Sequence, residues 1–158
     1  MIRLTKLADY AVVLMAHMAE NPGAIHSASG IAAATLIPAP TVSKILGAMA
    51  RSGLLKSHRG LNGGFELAHE PQDISIAHIV SVVDGPIALT DCTEESHMEC
   101  DILGSCHMPA YWRKINGAIR HALEGVTLSD LTQTLPDFLA AFPSPEDAKP
   151  TEDRHDNI

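Results

Sequence analysis

The chain has 158 residues, of which 46% are hydrophobic, and its formal net charge is −8. This length allows one domain, or a small domain with an appendage, and the apolar content is ample for a core. Neither an export signal nor a membrane span is apparent, so we expect a cytoplasmic protein with no membrane partner.

The charge is unevenly distributed along the chain. Residues 1–69 hold six Lys/Arg and three Asp/Glu, a charge of +3, whereas residues 70–158 hold five Lys/Arg and sixteen Asp/Glu, a charge of −11. The basic half is where a nucleic-acid phosphate could bind. A charge of +3 is modest, however, and a mixed solvated surface is the commoner explanation.

The first half of the chain predicts three helices. Apolar residues that recur every three or four positions predict a helix over residues 5–20. A second helix fits residues 28–35, with Ser27 as its N-cap. A third begins at Pro40, where the missing N–H costs nothing, and runs to about Ser52.

A glycine-rich hairpin follows the third helix. Residues 54–59 and 65–67 read as two strands on either side of Gly60-Leu61-Asn62-Gly63-Gly64. Two helices, a tight turn, a third helix and a hairpin together predict a winged helix-turn-helix domain over residues 1–70. The predicted fold class is therefore mainly α with a small β-hairpin.

The second half adds a long amphipathic helix over residues 109–124. Sixteen helical residues span roughly 24 Å, too long to cover only a small winged domain. We therefore predict a dimerisation helix that pairs two subunits; packing back on its own domain is the alternative. Residues 71–135 would hold this helix, a preceding helix at 73–83, a cysteine loop and a short helix at 126–135. The acidic tail at 136–158 is predicted to be disordered.

The N-terminus of the third helix carries polar side chains that lie off its apolar stripe, namely Thr41, Ser43 and Lys44. A recognition helix presents such residues to base edges and phosphates in the major groove. Ordinary capping and surface residues would look the same. The hairpin that follows at the right place favours double-stranded DNA as the partner.

The predicted hairpin adds three basic side chains, Lys56, His58 and Arg59. An arginine on a flexible tip can enter a narrow, electronegative minor groove. The glycines beside it are most simply turn residues. Arg59 is the stronger functional candidate, because an arginine at a wing tip has little purpose in a core.

All three cysteines, Cys92, Cys100 and Cys106, lie within one 15-residue stretch. An odd count cannot close into disulfides within the chain, and soft thiolates in one loop favour iron-sulfur or zinc in a reducing cytosol. The spacing does not match the short Cys-x2-Cys pairs of structural zinc sites, which favours an iron-sulfur cluster.

Three cysteines leave a cluster one ligand short. A histidine, an acidic residue of the same loop or a group from elsewhere in a dimer could complete it, and any of these bonds iron less tightly than thiolate. Each is also an ordinary solvated loop residue. The loop candidates are His97, His107, Asp91, Glu94, Glu95, Glu99 and Asp101.

Over residues 1–135 the chain resembles the cluster-bearing winged-helix repressors typified by IscR, RirA and NsrR. The motifs that carry this resemblance are Arg3-Leu4-Thr5-Lys6, Asp9-Tyr10-Ala11-Val12, the run from Ser57 to Gly64, the three cysteines and Trp112. Three further stretches look most like the subgroup that regulates the SUF iron-sulfur assembly system. They are residues 7–14, 40–46 and 85–92.

The resemblance implies a homodimer that binds an operator through residues 41–44 and Arg59. It also implies one cluster per subunit, 4Fe-4S or 2Fe-2S, on the three cysteines. In IscR a histidine lies three residues past the last cysteine, where this chain has Pro109. In the NsrR branch a carboxylate from the partner's first helix serves, and this matches Asp9, which we favour over His107.

The expected function is a repressor of iron-sulfur assembly genes that responds to cluster status. Two alternatives stay open: a sensor of nitric oxide or iron status in the same family, and a zinc-stabilised winged-helix interaction module. No phosphate-cradling loop and no nucleophile-base pairing is legible, so an enzyme with a small-molecule substrate is not expected.

Overall fold

The computed structural model describes residues 3–93, 100 and 105–132. Its helices are α1 (Lys6–Ala19), α2 (Ala28–Thr35), α3 (Ala39–Arg51), α4 (Ile76–Asp84), α5 (Pro109–Glu124) and α6 (Leu128–Thr132). Strands β1 (Leu55–His58) and β2 (Gly64–Leu67) form one antiparallel hairpin between α3 and α4. The predicted fold class, mainly α with a small hairpin, is confirmed.

Local capping explains where three of the helices begin. The side chains of Thr5, Ser27 and Ser75 each accept a hydrogen bond from the backbone N–H three residues later, at 3.0 to 3.2 Å. Such a bond satisfies one of the unpaired donors of the first turn. Between α2 and α3 the chain turns tightly through Leu36, whose φ is +58°.

The core is built around α1, which contacts α2, α3, α4, α6 and β2. Its buried face meets the apolar faces of the neighbouring helices, because each repeats apolar residues at helical spacing. The largest fully buried side chains are Leu14, Met15, Met18, Ile31, Ile45, Leu46, Met49, Leu54, Ile74, Ile79, Leu128 and Val42.

The hairpin and its connecting residues 59–63 form the wing. Leu55 pairs with Leu67 at its base and His58 with Gly64 at its outer end. His26, in the segment before α2, adds a backbone bridge to Phe65 through two N–H···O bonds of 2.8 Å. This bridge anchors the wing to the helix-turn-helix.

The prediction of one helix over residues 73–83 needs correction. Pro71–Asp73 is a separate 3-10 turn, and α4 begins only at Ile76. The intervening backbone pairs with a distant segment instead, since Ile76 N–H donates to the Val126 carbonyl and Leu128 N–H to the Ile74 carbonyl, each at 2.9 Å.

The same pairing shortens the closing helix. It was expected over residues 126–135, but α6 begins at Leu128 because Thr127 is engaged in a bridge with Ser75. The end of that predicted helix and the acidic tail at 136–158 lie outside the described residues. In the part of the chain that is described, no helix is long and apolar enough to cross a bilayer.

Candidate nucleic-acid interface and cysteine loop

Helix α3 divides cleanly into a buried and an exposed face. Val42, Ile45, Leu46 and Met49 are buried, which turns Ser43 and Lys44 to the surface and leaves Thr41 half-buried. Pro38 precedes the helix and no side chain caps it. The positive end of the helix dipole lies at Ala39, more than one turn before Lys44, and it also favours a phosphate.

The wing places Lys56 and Arg59 at the surface. Neither they nor Lys44 forms an ion pair with any other described residue. Their charges are therefore available to phosphates rather than neutralised by the protein. Of the predicted DNA-contacting residues, these three are the free cations.

His58 is placed differently from the other basic residues. Its Nε2 lies 2.8 Å from Oε2 of Glu66 on the neighbouring strand. The imidazole is thus held by a protein carboxylate at the wing surface. Sequence reasoning missed Glu66, which the hairpin register places opposite Lys56 and diagonal to His58.

The glycines at the tip of the wing are required by its backbone. Gly60 has a φ of +111°, a conformation that L side chains rarely adopt. A Cβ added at Gly63 would collide with the His58 carbonyl oxygen, and one at Gly64 with the His26 carbonyl oxygen. Their role as turn residues follows from this geometry.

The three cysteines are free thiols and each is half-buried. The Thr90 hydroxyl lies 3.3 Å from Sγ of Cys92. Sγ of Cys106 accepts a 3.4 Å hydrogen bond from the backbone N–H of Met108, at the start of α5. Cys100 is described alone, since residues 94–99 and 101–104 fall outside the described part.

The described residues do not contain a preassembled metal site. Among them no three His, Cys, Asp or Glu side chains lie together closely enough to hold a metal ion. The chemistry of the donor set still suits an iron-sulfur cluster or zinc, because all three thiols are unpaired and soft. Five of the residues considered as the fourth ligand lie outside the described ranges, namely Glu94, Glu95, His97, Glu99 and Asp101.

Asp9 and His107, the two favoured candidates for the fourth ligand, are both exposed. The backbone N–H groups at the start of α1 are met by Thr5 rather than by the Asp9 side chain. The Asp9 carboxylate has no hydrogen bond or ion pair within the described chain, and the structure groups neither residue with the cysteines.

Helix α5 carries two adjacent apolar stripes rather than one. The first stripe faces the protein, and its residues are buried or half-buried. It comprises Trp112, Asn116, Ile119 and Leu123. The second stripe, comprising Tyr111, Ile115, Ala118 and Ala122, is exposed. Ile115 is 42% and Tyr111 62% exposed, so a wide apolar surface has no partner among the described residues.

Asn116 is a functional candidate that sequence reasoning missed. It is the buried polar residue of α5, and its amide bonds the backbone at Ile87 and Leu89, three residues before Cys92. A signal for it was present. A polar residue stands one turn after Trp112, where the inward stripe calls for an apolar one.

A helix-turn-helix with a wing, and with free cations on α3 and on the wing, is the architecture of winged-helix DNA-binding proteins. The chain belongs to the Rrf2 family. The profile of that family, described as an iron-dependent transcriptional regulator, matches residues 4–134. The resemblance inferred from the motifs is thereby confirmed for the family, and the protein is a transcriptional regulator rather than an enzyme.

Relatives and solved structures agree with this assignment. Protein aau3 of Rhizobium meliloti (strain 1021) is 32% identical over 146 residues, covering 91% of this chain and 95% of its own. The regulator NsrR of Bacillus subtilis (strain 168) is 26% identical, covering 87% and 95%.

Two solved structures share the fold over most of their length. CymR, the global cysteine regulator of B. subtilis, superposes with a TM-score of 0.67 at 25% identity, covering 84% of this chain and 97% of its own. IscR of T. potens superposes with a TM-score of 0.65 at 25% identity, covering 92% and 95%.

Proposed function

We propose that this protein is a cytoplasmic, homodimeric repressor that binds operator DNA and responds to an iron-sulfur cluster held on Cys92, Cys100 and Cys106. Residues 1–70 form the DNA-binding domain, and residues 71–135 carry the cluster loop and the dimerisation helix. The genes controlled are those of iron-sulfur assembly, of the SUF type. The family membership supports the role as a transcriptional regulator, and the motif resemblance supports the iron-sulfur assembly genes as its targets.

The observation that carries DNA binding is the set of unpaired cations around the α3 N-terminus and the wing. Lys44 lies on the exposed face of a helix whose other face is core, and Arg59 projects beside Gly60 with no ion-pair partner among the described residues. Thr41 and Ser43 are the residues proposed to face base edges, and Lys56 a phosphate.

His58 has a different role in this interface. Glu66 holds the His58 imidazole. We therefore propose that His58 orients the wing strand and contacts DNA through the edge of its ring. A free cation at this position would act on phosphate charge alone. The carboxylate beside it disfavours close approach of a phosphate, which restricts how the wing can enter a groove.

The exposed stripe of α5 supports the homodimer. It borders an apolar cleft of about 770 Å³ between the start of α1, the end of α4 and α5, lined in part by Leu4, Leu89 and Trp112. In a two-fold dimer the same patch serves both subunits, so the stripe of one can cover the cleft of the other. The acidic net charge would limit non-specific self-association.

A bound cluster would supply a centre whose charge and integrity change with iron, sulfide and oxidants. The residues proposed to hold it are the three cysteines, with Asp9 of the partner subunit as the fourth ligand and His107 as the alternative. The hydroxyl of Thr90 and the N–H of Met108 lie within hydrogen-bonding distance of two of the sulfurs. Such contacts tune the stability of a cluster.

Anaerobic purification, followed by a visible spectrum with iron, sulfide and zinc analysis of the same sample, tests the cofactor. Broad absorbance at about 400 nm with matched iron and sulfide is expected. The Cys100→Ala variant should lose this absorbance. A colourless protein whose operator binding ignores iron and sulfide would overturn the proposal, and a coloured Cys100→Ala protein would remove Cys100 from the ligand set.

A different signal within the same family is the second candidate, and the similarity to NsrR favours it. Such a protein would sense nitric oxide or iron status. Operator binding is measured after nitric oxide treatment and, separately, after mild iron chelation. These two measurements distinguish nitric oxide and iron status from the demand for iron-sulfur cluster assembly as the signal. Zinc without iron or colour would instead make the loop a structural element of a winged-helix interaction module.

A further inference from the structure

Asn116 pairs both sides of one backbone segment from a buried position on α5. Its Nδ2 donates to the Ile87 carbonyl at 2.8 Å, and its Oδ1 accepts from the Leu89 N–H at 3.1 Å. The residue is 9% exposed and is the one buried polar or charged residue in the described part of the chain. The two bonds satisfy one donor and one acceptor of its amide.

This double pairing sets the register of the segment against the helix. A side-chain amide that bonds the carbonyl of one residue and the N–H of the residue two positions on imitates a neighbouring β-strand. A slip by one residue would leave a buried donor and acceptor unpaired, at a cost of about 1–3 kcal/mol each. Residues 87–89 are therefore held at one position along α5.

Cys92 follows this anchored segment through a closed turn. The Thr93 N–H and Thr93 hydroxyl both donate to the Thr90 carbonyl, at 2.9 and 2.7 Å. The Thr90 N–H returns a 3.4 Å bond to the Thr93 hydroxyl, and the Thr90 hydroxyl lies 3.3 Å from the Cys92 sulfur. Little freedom remains between Leu89 and the thiol, and the 91–93 turn itself contacts α5.

We infer that Asn116 is a positioning residue that ties Cys92 to the dimerisation helix. A change at the Cys92 sulfur is transmitted to α5 through the Thr90–Thr93 turn and the Asn116 amide. Through α5 it alters the spacing of the two recognition helices. The tie itself is a property of the chain, whereas its use as a transmission path rests on the proposed function.

The tie can be tested without any cluster, in the full-length apo protein. In a Cys100→Ser/Cys106→Ser background Cys92 is the sole thiol, and its rate of alkylation by iodoacetamide reports how firmly its turn is held. Asn116→Ala is expected to raise this rate by about threefold or more, the effect of losing one to two hydrogen bonds. Asn116→Asp keeps the acceptor for Leu89 but puts a carboxylate oxygen against the Ile87 carbonyl at a buried position, so it should raise the rate at least as much as Asn116→Ala.

Cys106 provides the internal control for general loosening. In a Cys92→Ser/Cys100→Ser background its alkylation rate should not respond to Asn116→Ala, because Met108 rather than Asn116 contacts its sulfur. Lys114→Ala, at an exposed position two residues away on α5, should change neither rate. Equal acceleration of both thiols, or none at Cys92, would overturn the assignment of Asn116.

Transmission is tested separately in the wild-type cysteine background. Compared at equal cluster loading, the ratio of operator Kd between holo and apo protein should fall at least about threefold in Asn116→Ala, with dimer content and apo Kd unchanged. An unchanged ratio in a cluster-loaded variant overturns the transmission path. Absence of a cluster from the wild-type protein would refute the proposed function, while the alkylation result would still judge the tie.

Discussion

The Thr5 hydroxyl donates a 2.6 Å hydrogen bond to the Asp84 carboxylate, 79 positions away in the sequence. Thr5 also caps α1 by accepting a bond from the Ala8 N–H, and Asp84 is the last residue of α4. One threonine therefore joins the start of α1 to the point where the chain leaves α4 toward the cysteines. Asp9 lies one turn after Thr5 on α1. The Thr5–Asp84 hydrogen bond therefore holds Asp9 at a fixed position relative to the end of α4 in the same subunit.

The exposed Asp9 carboxylate leads to a prediction about the fourth cluster ligand. Asp9→Ala should lower the iron and sulfide bound per subunit and speed the loss of visible absorbance in air, because the proposed ligand oxygen is removed. Folding should be unaffected, since the residue makes no side-chain bond within the described chain. His107→Ala is the matched comparison and should leave the cluster intact; the reverse pattern would assign the ligand to His107.

Arg59→Ala should weaken operator binding by about 1–3 kcal/mol and lower the salt dependence of log K by about one if the guanidinium contacts a phosphate. The visible spectrum should be unchanged, because Arg59 makes no hydrogen bond or ion pair with a described cysteine. Fluorescence anisotropy with labelled operator at several salt concentrations measures both quantities. Arg113→Ala, an exposed arginine on α5, is the control, and an equal loss in that variant would contradict a specific role for the wing.

Gly63→Ala should destabilise the wing. The added Cβ would meet backbone at the His58 carbonyl, which cannot move aside as a flexible side chain could. Overpacking of this kind costs about 1–3 kcal/mol. Urea denaturation and operator binding should both register the loss. Gly117→Ala, where a Cβ meets nothing within 4 Å, should be neutral or slightly stabilising, and similar losses in both variants would argue against a steric cause.

Ile115→Glu should dissociate the proposed homodimer. It puts a carboxylate in the middle of the exposed apolar stripe of α5, where burial against a second subunit would leave the charge unpaired. The dimer Kd is expected to rise at least about tenfold. Sedimentation velocity over a concentration series measures this. Gly117→Glu adds the same side chain on the polar face of the helix, and a dimer lost equally there would place the interface elsewhere.

The hydrogen bonds of the Asp130 carboxylate predict that acid slightly lowers the stability of α6. The Thr127 N–H and hydroxyl donate to its Oδ2 at 2.7 and 2.8 Å, and these bonds, the backbone one first, hold the pKa of that carboxyl below its ordinary value. A lowered folded-state pKa means that the stabilisation is present above the ordinary aspartate pKa. It is lost as the pH falls through the lowered value.

The Asp130→Asn variant tests this sign. Its amide does not titrate, so its Tm should lie below that of the wild-type protein at neutral pH, and the difference should shrink as the solution is acidified below the ordinary aspartate range. A difference that stayed constant down to low pH would show that charge is not the cause.

Local signals were sufficient to predict α1 to α3, α5 and the hairpin to within about a residue or two at each end. Periodicity and caps such as Ser27 depend on neighbours along the chain, so they can be read without the fold. The same holds for the separation of Lys44 from the buried stripe of α3, because a helix fixes which residues share a face.

Contacts between distant segments could not be read in this way. The pairing of residues 74–76 with 126–128 replaced a predicted helical turn, and the Glu66 carboxylate engaged His58 across the wing. The single apolar stripe read on α5 proved to be two. Only the position of neighbouring elements decides which stripe is covered and which is left for a partner.

Residue types at short, fixed spacing were enough to predict the class of protein, the third helix with its exposed polar face, the wing and the cysteine loop. Tertiary structure alone decided that Asn116 on α5 holds the segment before Cys92 and that Thr5 meets Asp84. Both contacts join residues far apart in the chain. Hydrogen bonds of this kind depend on where packing of the core brings two backbones, and no local pattern encodes that.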